Sequence, residues 1–181
     1  MSAGCTLVVA VDCGITGFDA VDLANQMDLD IVIADHHEAE VGIPNAVAVV
    51  DPKRVDDDSG LTYLAACGVV FLLTVALNKT LRERGFYKKK GIEEPDLFSY
   101  LDLVALGTVC DVVPLVGVNR AFVSVGVKVM ARRQNIGLKS LCDVSGVSTS
   151  PSIYHLGYVL GPRINAGGRV GNSSIAAQLL T

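Results

Sequence analysis

Acidic and imidazole side chains follow two short apolar segments near the start of the sequence. Asp12 follows the first segment, and the run Asp35, His36 and His37 follows the second. Hard divalent cations bind carboxylate oxygen, and Mn²⁺ also binds imidazole nitrogen, so these residue types suit Mn²⁺ or Mg²⁺ better than structural zinc. The simpler alternative is that Asp12 caps a helix and that the two histidines belong to a surface turn.

The two apolar segments, residues 7–11 and 31–34, are typical of buried strands, and residues 18–27 between them have helical spacing. A strand, a helix and a strand in this order predict a parallel pair with a right-handed crossover. Residues 46–50 predict a third strand. We therefore expect an α/β fold, with a parallel sheet flanked by helices, in which Asp12 and the residues 35–37 share the carboxyl edge of the sheet.

The later part of the sequence is mainly helical. Helices are predicted over residues 62–84, 96–112 and 119–133, followed by two or three shorter ones, and Lys88–Gly91 is expected to be a charged loop. The organisation predicted is one domain over 1–181, with an α/β metal-binding part at about 1–60 and a mainly helical part at 61–181. The uncharged stretch 61–77 is expected to be a core helix, because it is barely long enough to span a membrane.

Charge is divided unevenly along the 181 residues. Residues 1–119 contain 18 acidic and 8 basic side chains, whereas residues 120–181 contain 7 basic side chains and one acid, Asp143. An acidic half suits cations and a basic half suits phosphates, although a solvated helix face explains many such runs equally well.

The cysteines and the first residues indicate a reducing compartment. Five cysteines are widely spread without a C-x-x-C pair, so we expect small buried side chains rather than disulfides or zinc ligands. The N-terminal residues lack a basic start, and Asp12 follows soon after, which does not fit a signal peptide. We expect a cytoplasmic protein that has no contact with a membrane.

Three further features could take part in chemistry. Asp111 ends an apolar helical segment, where it could be a ligand, a helix N-cap or the ion-pair partner of Arg120. The glycine-rich segment 161–171 carries two arginines and could approach a phosphate, or it could be a tight turn between helices. Tyr154 and Tyr158 could stack on bases, although a place in the core is expected.

Seven segments spread over nearly the whole chain form a recognisable series. They are Val11–Gly14, Asp35–Glu38, Pro44–Val47, Val50–Arg54, Gly107–Leu115, Asn119–Ala121 and Gly161–Arg169. In order and spacing, these segments resemble the motifs of the DHH phosphoesterase family. The resemblance implies a phosphodiester hydrolase, specifically a 5′-to-3′ exonuclease that degrades single-stranded DNA with two Mn²⁺ or Mg²⁺ ions, as in DNA repair and recombination.

The resemblance also implies roles for individual residues. Asp12 would bridge the two ions, His36 and Asp111 would complete the ligands of one ion, Asp35 would orient the pair, and His37 would contact the scissile phosphate. The residues expected to contact DNA are Arg163, Asn165, Gly168 and Arg169.

Two parts of the family pattern lie outside this sequence. The family begins with an earlier strand and an aspartate-rich loop, and a DHHA1-type domain follows the segment seen here. We therefore expect at most one well-formed metal site in these 181 residues and weak or no nuclease activity from them alone. An exposed sheet edge would favour self-association.

Two other functions remain open at this point. One is a DHH phosphatase that acts on pyrophosphate, short oligonucleotides or cyclic dinucleotides. The other is a module that binds nucleic acid without catalysis through its basic C-terminal half.

Overall fold

The computed structural model describes residues 4–148, 150–167 and 174–180. It forms two compact units, one extending to Ala76 and the other beginning at Leu77. Strands occupy the early part of the chain and helices the later part, so the expected α/β class is confirmed.

The first unit contains three strands, one helix and the start of another helix. They are β1 (Leu7–Val11), α1 (Phe18–Gln26), β2 (Asp30–Ala34), β3 (Ala48–Val50) and the start of α2 (Ala66–Glu83). The strands form a parallel sheet in the order β1, β2, β3. Helix α1 connects the first two strands, as the apolar spacing of residues 18–27 predicts. Ile33 of the central strand is fully buried and packs with Ile15, Val21 and Val49 in one cluster.

The strand register aligns the carboxyl ends of all three strands. Ala34 of β2 pairs with Val11 of β1 on one side and with Val50 of β3 on the other. The residue that follows each strand is an aspartate, and these are Asp12, Asp35 and Asp51. Three carboxylates therefore lie in a row along one edge of the sheet.

The second unit is helical. Its core contains buried side chains of α4, α5, α6 and the π-helical segment, with Leu156 and Leu160 fully buried. The elements are the end of α2, α3 (Phe86–Lys90), a 3₁₀ turn (Leu97–Tyr100), α4 (Leu101–Cys110), α5 (Gly117–Ala131), α6 (Ile136–Val144), a π-helical segment (His155–Leu160), α7 (Gly161–Gly167) and α8 (Ser174–Leu180).

Helices α4 and α5 approach each other closely at Gly126. A Cβ atom at this position would lie 2.1 Å from the carbonyl oxygen of Leu101 and 2.5 Å from Cβ of Ala105. Glycine is therefore required here for packing, because any side chain would push the two helices apart.

Two local expectations are wrong. Residues 88–90, expected in a loop, belong to the short helix α3, which begins after Gly85 and ends before Gly91; both glycines have a positive φ that suits a helix end. The expectation of buried cysteines holds for Cys142, but Cys5 and Cys13 are exposed.

The uncharged stretch that raised the question of a membrane falls largely in α2. Among the described residues, no helix combines the length and the apolar character that crossing a bilayer requires.

Candidate metal centre

The first unit brings three potential ligand side chains to the carboxyl edge of its sheet. Asp12, His36 and His37 each offer one ligand atom, and these atoms lie within 4.8 Å of one another. Nε2 of His36 is 3.2 Å from Oδ1 of Asp12. The side chains of Asp12 and His37 are largely exposed, whereas His36 is buried, so the cluster opens to solvent on one side.

The backbone of Asp12 has an unusual conformation. Its φ is +62°, in the left-handed region that aspartate tolerates better than most residues. Its N–H donates to the carbonyl of Ala34 at 3.0 Å, so the strand pairing continues through this residue while the chain turns. The turn fixes the Asp12 carboxylate beside His36.

The ring of His36 is oriented by the chain itself. Its Nδ1 lies 3.1 Å from the carbonyl oxygen of Leu64, and because a carbonyl only accepts, Nδ1 is the nitrogen that donates. In the neutral imidazole, Nε2 then directs a lone pair towards the Asp12 carboxylate. A backbone carbonyl that holds the second nitrogen of a histidine is the usual support of a metal ligand.

A divalent cation fits this donor set. Two lone-pair donors 3.2 Å apart repel each other unless a proton or a cation lies between them. Two ligands at right angles, each about 2.1 Å from one ion, are separated by about 3.0 Å. Oxygen and imidazole nitrogen are donors that Mn²⁺ accepts together.

Asp35 is an internal anchor of the site. Its Oδ2 accepts a hydrogen bond from the N–H of Ile15 at 3.0 Å, and its Oδ1 accepts one from the N–H of His36 at 2.8 Å. Burial by itself would raise the pKa of this carboxyl, but the hydrogen bonds from Ile15, His36 and His37 lower it. The ionised carboxylate is therefore the stable form.

His37 is held by the same carboxylate. Its Nδ1 lies 2.7 Å from Oδ1 of Asp35, and this oxygen accepts a hydrogen bond from Nδ1–H. The ring is tilted by 56° to that of His36, at a centroid separation of 4.6 Å. Because its side chain is 57% exposed, His37 is accessible to a ligand that approaches the edge of the sheet.

Asp51 is a member of this edge that was not expected from the sequence. It is 3% exposed; its Oδ1 accepts from the N–H of Lys53 at 2.8 Å, and its Oδ2 has no hydrogen-bond partner. Burial and then the charge of Asp35 raise the pKa of Asp51. The signal was present, because an aspartate follows the apolar residues 46–50 just as it follows the other two strands.

Asp111 lies in the second unit, at the C-terminal cap of α4. It is exposed rather than buried, and its N–H donates to the carbonyl of Gly107 at 3.0 Å. It does not cap the next helix, because the N-cap of α5 is Val116. Its role as a ligand beside Asp12 and His36 stays a prediction.

The expected DNA-contacting residues lie at the end of the second unit. Arg163 and Asn165 are exposed on α7, and the Arg163 guanidinium donates to the carbonyl of Val159 at 2.7 Å. Gly168 and Arg169 lie outside the described residues.

The glycine-rich loop expected from residue 161 onward is wrong for residues 161–167, which form α7. The glycine at 161 serves packing rather than a loop conformation, because a Cβ there would lie 2.4 Å from Sγ of Cys110. The first glycine of the segment thus permits a close helix contact.

Comparison with known proteins agrees with this description. Residues 4–108 match the family model described as "DHH family, N-terminal domain". The chain belongs to the DHH family.

Similar proteins within that family include RecJ exonucleases. The chain is 40% identical to the single-stranded-DNA-specific exonuclease RecJ of Dickeya dadantii, over 98% of this chain and 31% of that protein. It thus spans about a third of the length of this relative.

Two crystal structures of RecJ from Thermus thermophilus also match. The complex with Mn²⁺ matches with a TM-score of 0.77 and 30% identity. The match covers 97% of this chain and 24% of that RecJ chain. The complex with Mg²⁺ matches with a TM-score of 0.63 and 26% identity. The match covers 97% of this chain and 22% of that RecJ chain.

Proposed function

We propose that this chain is the DHH part of a RecJ-like enzyme that hydrolyses phosphodiester bonds of single-stranded DNA with Mn²⁺ or Mg²⁺. The observation that supports this most directly is the convergence of Asp12, His36 and His37 within 4.8 Å at the carboxyl edge of the sheet. The similarity to RecJ proteins suggests the substrate, and the 5′-to-3′ direction rests on the family resemblance alone. A cytoplasmic location and a role in DNA repair and recombination are part of the same proposal.

In the proposed reaction, Asp12 and His36 would hold the cation, and Asp35 keeps His37 in place. A bound divalent ion would supply hydroxide from water near neutral pH and offset charge on the phosphate. The Asp35 carboxylate accepts a hydrogen bond from Nδ1–H of His37, which leaves Nε2 to face the substrate. When protonated, this Nε2 donates a hydrogen bond to the phosphate oxygen on which negative charge develops.

The remaining roles are proposed from the matching motifs. Asp111 would complete the ligands of the ion held by Asp12 and His36. Arg163 and Asn165, which are exposed on α7, would contact the DNA backbone. Gly168 and Arg169 are proposed to act with them.

Metal binding tests the proposal directly. Titration of the 181-residue polypeptide with Mn²⁺, followed by the electron paramagnetic resonance signal of the free ion, should detect one site. We expect Asp12→Asn to weaken its affinity at least tenfold, because asparagine keeps the left-handed backbone but loses the charge. Asp22→Asn, at an exposed position of α1, is the matched control and should bind like the wild type. Equal Mn²⁺ affinity of all three proteins would refute the proposed site.

The nuclease proposal needs a separate assay. For the polypeptide alone we expect little or no digestion of a 5′-phosphorylated single strand with Mn²⁺, because only one ion site is expected in it. In a longer protein that contains this chain, release of single nucleotides indicates an exonuclease, whereas release of phosphate indicates a phosphatase. Rapid processive digestion by the 181-residue polypeptide would contradict the single-site expectation.

The first strand supports a proposal of self-association. Within the described residues β1 pairs only with β2, and its apolar side chains Leu7, Val9 and Val11 are about half exposed. An apolar strand with an open edge can pair with a second copy of itself. We propose that isolated polypeptides of this sequence associate through β1.

A further inference from the structure

A groove in the second unit lies between one face of α5 and the residues that precede the π-helical segment. It has a volume of about 610 Å³ and is lined on the helix side by residues 120, 123, 124, 127 and 128. Positions three, four, seven and eight residues apart share one face of a helix, so these side chains form a continuous wall. The opposite wall is formed by Pro151, Ser152, Ile153 and Tyr154.

Tyr154, in one wall of this groove, belongs to an aromatic pair. Tyr154 stacks on Tyr158, with ring centroids 5.3 Å apart and an interplanar angle of 27°. The expectation of core packing is wrong for both rings, because Tyr154 is 63% exposed and Tyr158 is 75% exposed. Two stacked, solvent-exposed rings present a flat apolar surface.

The segment that carries these rings is fixed locally. Nδ1 of His155 lies 3.0 Å from the backbone nitrogen of Ser152 and 2.9 Å from its Oγ. Nδ1 of His155 therefore accepts a hydrogen bond from the N–H of Ser152, and this bond holds the turn before the π-helical segment. Tyr154 is thus attached to a defined backbone rather than to a loose loop.

The charges that line the groove are positive. Arg120 and Lys128 are exposed at its helical wall, and none of the lining residues that the structure describes is acidic. Nε of Arg120 donates to the carbonyl of Leu115 at 3.2 Å, and the described ion pairs include neither of these two cations. The terminal guanidinium nitrogens and the ammonium therefore remain available to an anionic ligand.

We propose that this groove binds a segment of single-stranded nucleic acid, separately from the metal centre. A base stacks on Tyr154, and the flanking phosphates contact Arg120 and Lys128. Stacking requires an unpaired base with an accessible face, which a duplex does not offer. Two cations in a groove whose described lining residues include no acid suit a polyanion. Arg120 and Lys128 lie about 12 Å apart along α5, so the ligand extends beyond one nucleotide. The choice of substrate rests on the proposed function, but the groove does not use the proposed metal ligands.

Fluorescence anisotropy of labelled oligonucleotides with the 181-residue polypeptide tests this site. With EDTA present, a dT₁₂ strand should bind more tightly than a strand of abasic sites of the same length. We expect Tyr154→Ala to weaken dT₁₂ binding about tenfold and to abolish the difference between the two strands. Tyr100→Ala, which removes another half-exposed tyrosine, is the control and should match the wild type.

The cations are tested by the salt dependence of binding. The double variant Arg120→Gln/Lys128→Gln should reduce the slope of log affinity against log salt by about 1.4, as expected for two lost phosphate contacts on a single strand. Lys139→Gln, at another exposed lysine of the same unit, should leave the slope unchanged.

The results also separate this proposal from the proposed function. Asp12→Asn should bind dT₁₂ normally in EDTA, and Tyr154→Ala should bind Mn²⁺ normally. Equal dT₁₂ affinity of Tyr154→Ala and the wild type, with unchanged thermal melting, would overturn the groove. Equal affinity for a duplex of the same length would overturn it as well.

Discussion

Replacement of Gly126 by alanine tests how tightly the second unit is packed. The added Cβ would lie 2.1 Å from the Leu101 carbonyl oxygen and 2.5 Å from Cβ of Ala105. A normal contact with the oxygen requires about 1 Å more, and a backbone carbonyl cannot rotate away as a side chain can. The helices α4 and α5 must therefore separate locally.

The size of the effect follows from two opposing contributions. Overpacking of this kind costs about 3 kcal/mol, at the upper end of the usual range, because the obstacle is backbone. The better helix propensity of alanine returns about 1 kcal/mol. The net loss of about 2 kcal/mol corresponds to a fall in Tm of about 4 to 8 °C for a chain of this length.

Gly167→Ala is the matched control, because a Cβ at this helical position has no atom of the described residues within 4 Å. Thermal unfolding followed by circular dichroism should show a clear fall in Tm for Gly126→Ala and little change for Gly167→Ala. If both variants melted at the wild-type temperature, the close approach of α4 and α5 described here would be incorrect.

Two further predictions concern pH and association. Burial raises the pKa of Asp102 above its ordinary 3.8. Just above pH 4 the native state therefore binds more protons than the unfolded state. The free energy of unfolding falls as the pH rises through that window. Asp102→Asn should remove this loss. Its free energy of unfolding relative to the wild type, measured by chemical denaturation, should therefore increase from pH 4 to pH 7. The same difference at both pH values would contradict a raised pKa of Asp102. Val9→Lys should reduce self-association in sedimentation velocity, because a charge on an open strand edge opposes pairing. Asp22→Lys, which changes an exposed position of α1, is the control. If Val9→Lys associated as strongly as the wild type, β1 would not be the contact.

The carboxyl edge of the sheet combines three aspartates in different environments. Asp12 is exposed beside His36, Asp35 is ionised within a set of hydrogen bonds, and Asp51 is buried with an unsatisfied oxygen. Burial and the charge of Asp35 raise the pKa of Asp51, whereas the hydrogen bonds lower that of Asp35. Asp51 therefore keeps its proton to a higher pH than Asp35 does.

The sequence alone predicted the parallel sheet and the family. Apolar runs that end in aspartate predict buried strands. Because parallel strands align their carboxyl ends, this pattern places Asp12 and His36 at one edge of the sheet. The order of the motifs then indicated the DHH family, which the family match confirms.

Other features were decided only by the tertiary structure. The unsatisfied oxygen of Asp51, the contact of His36 with Leu64 and the role of Gly161 depend on which atoms approach across the fold, and residue spacing does not encode such distances. The exposure of Tyr154 and Tyr158 was missed for a related reason. Apolar spacing shows that a helix has an apolar face, but only packing against the other helices determines whether that face is covered.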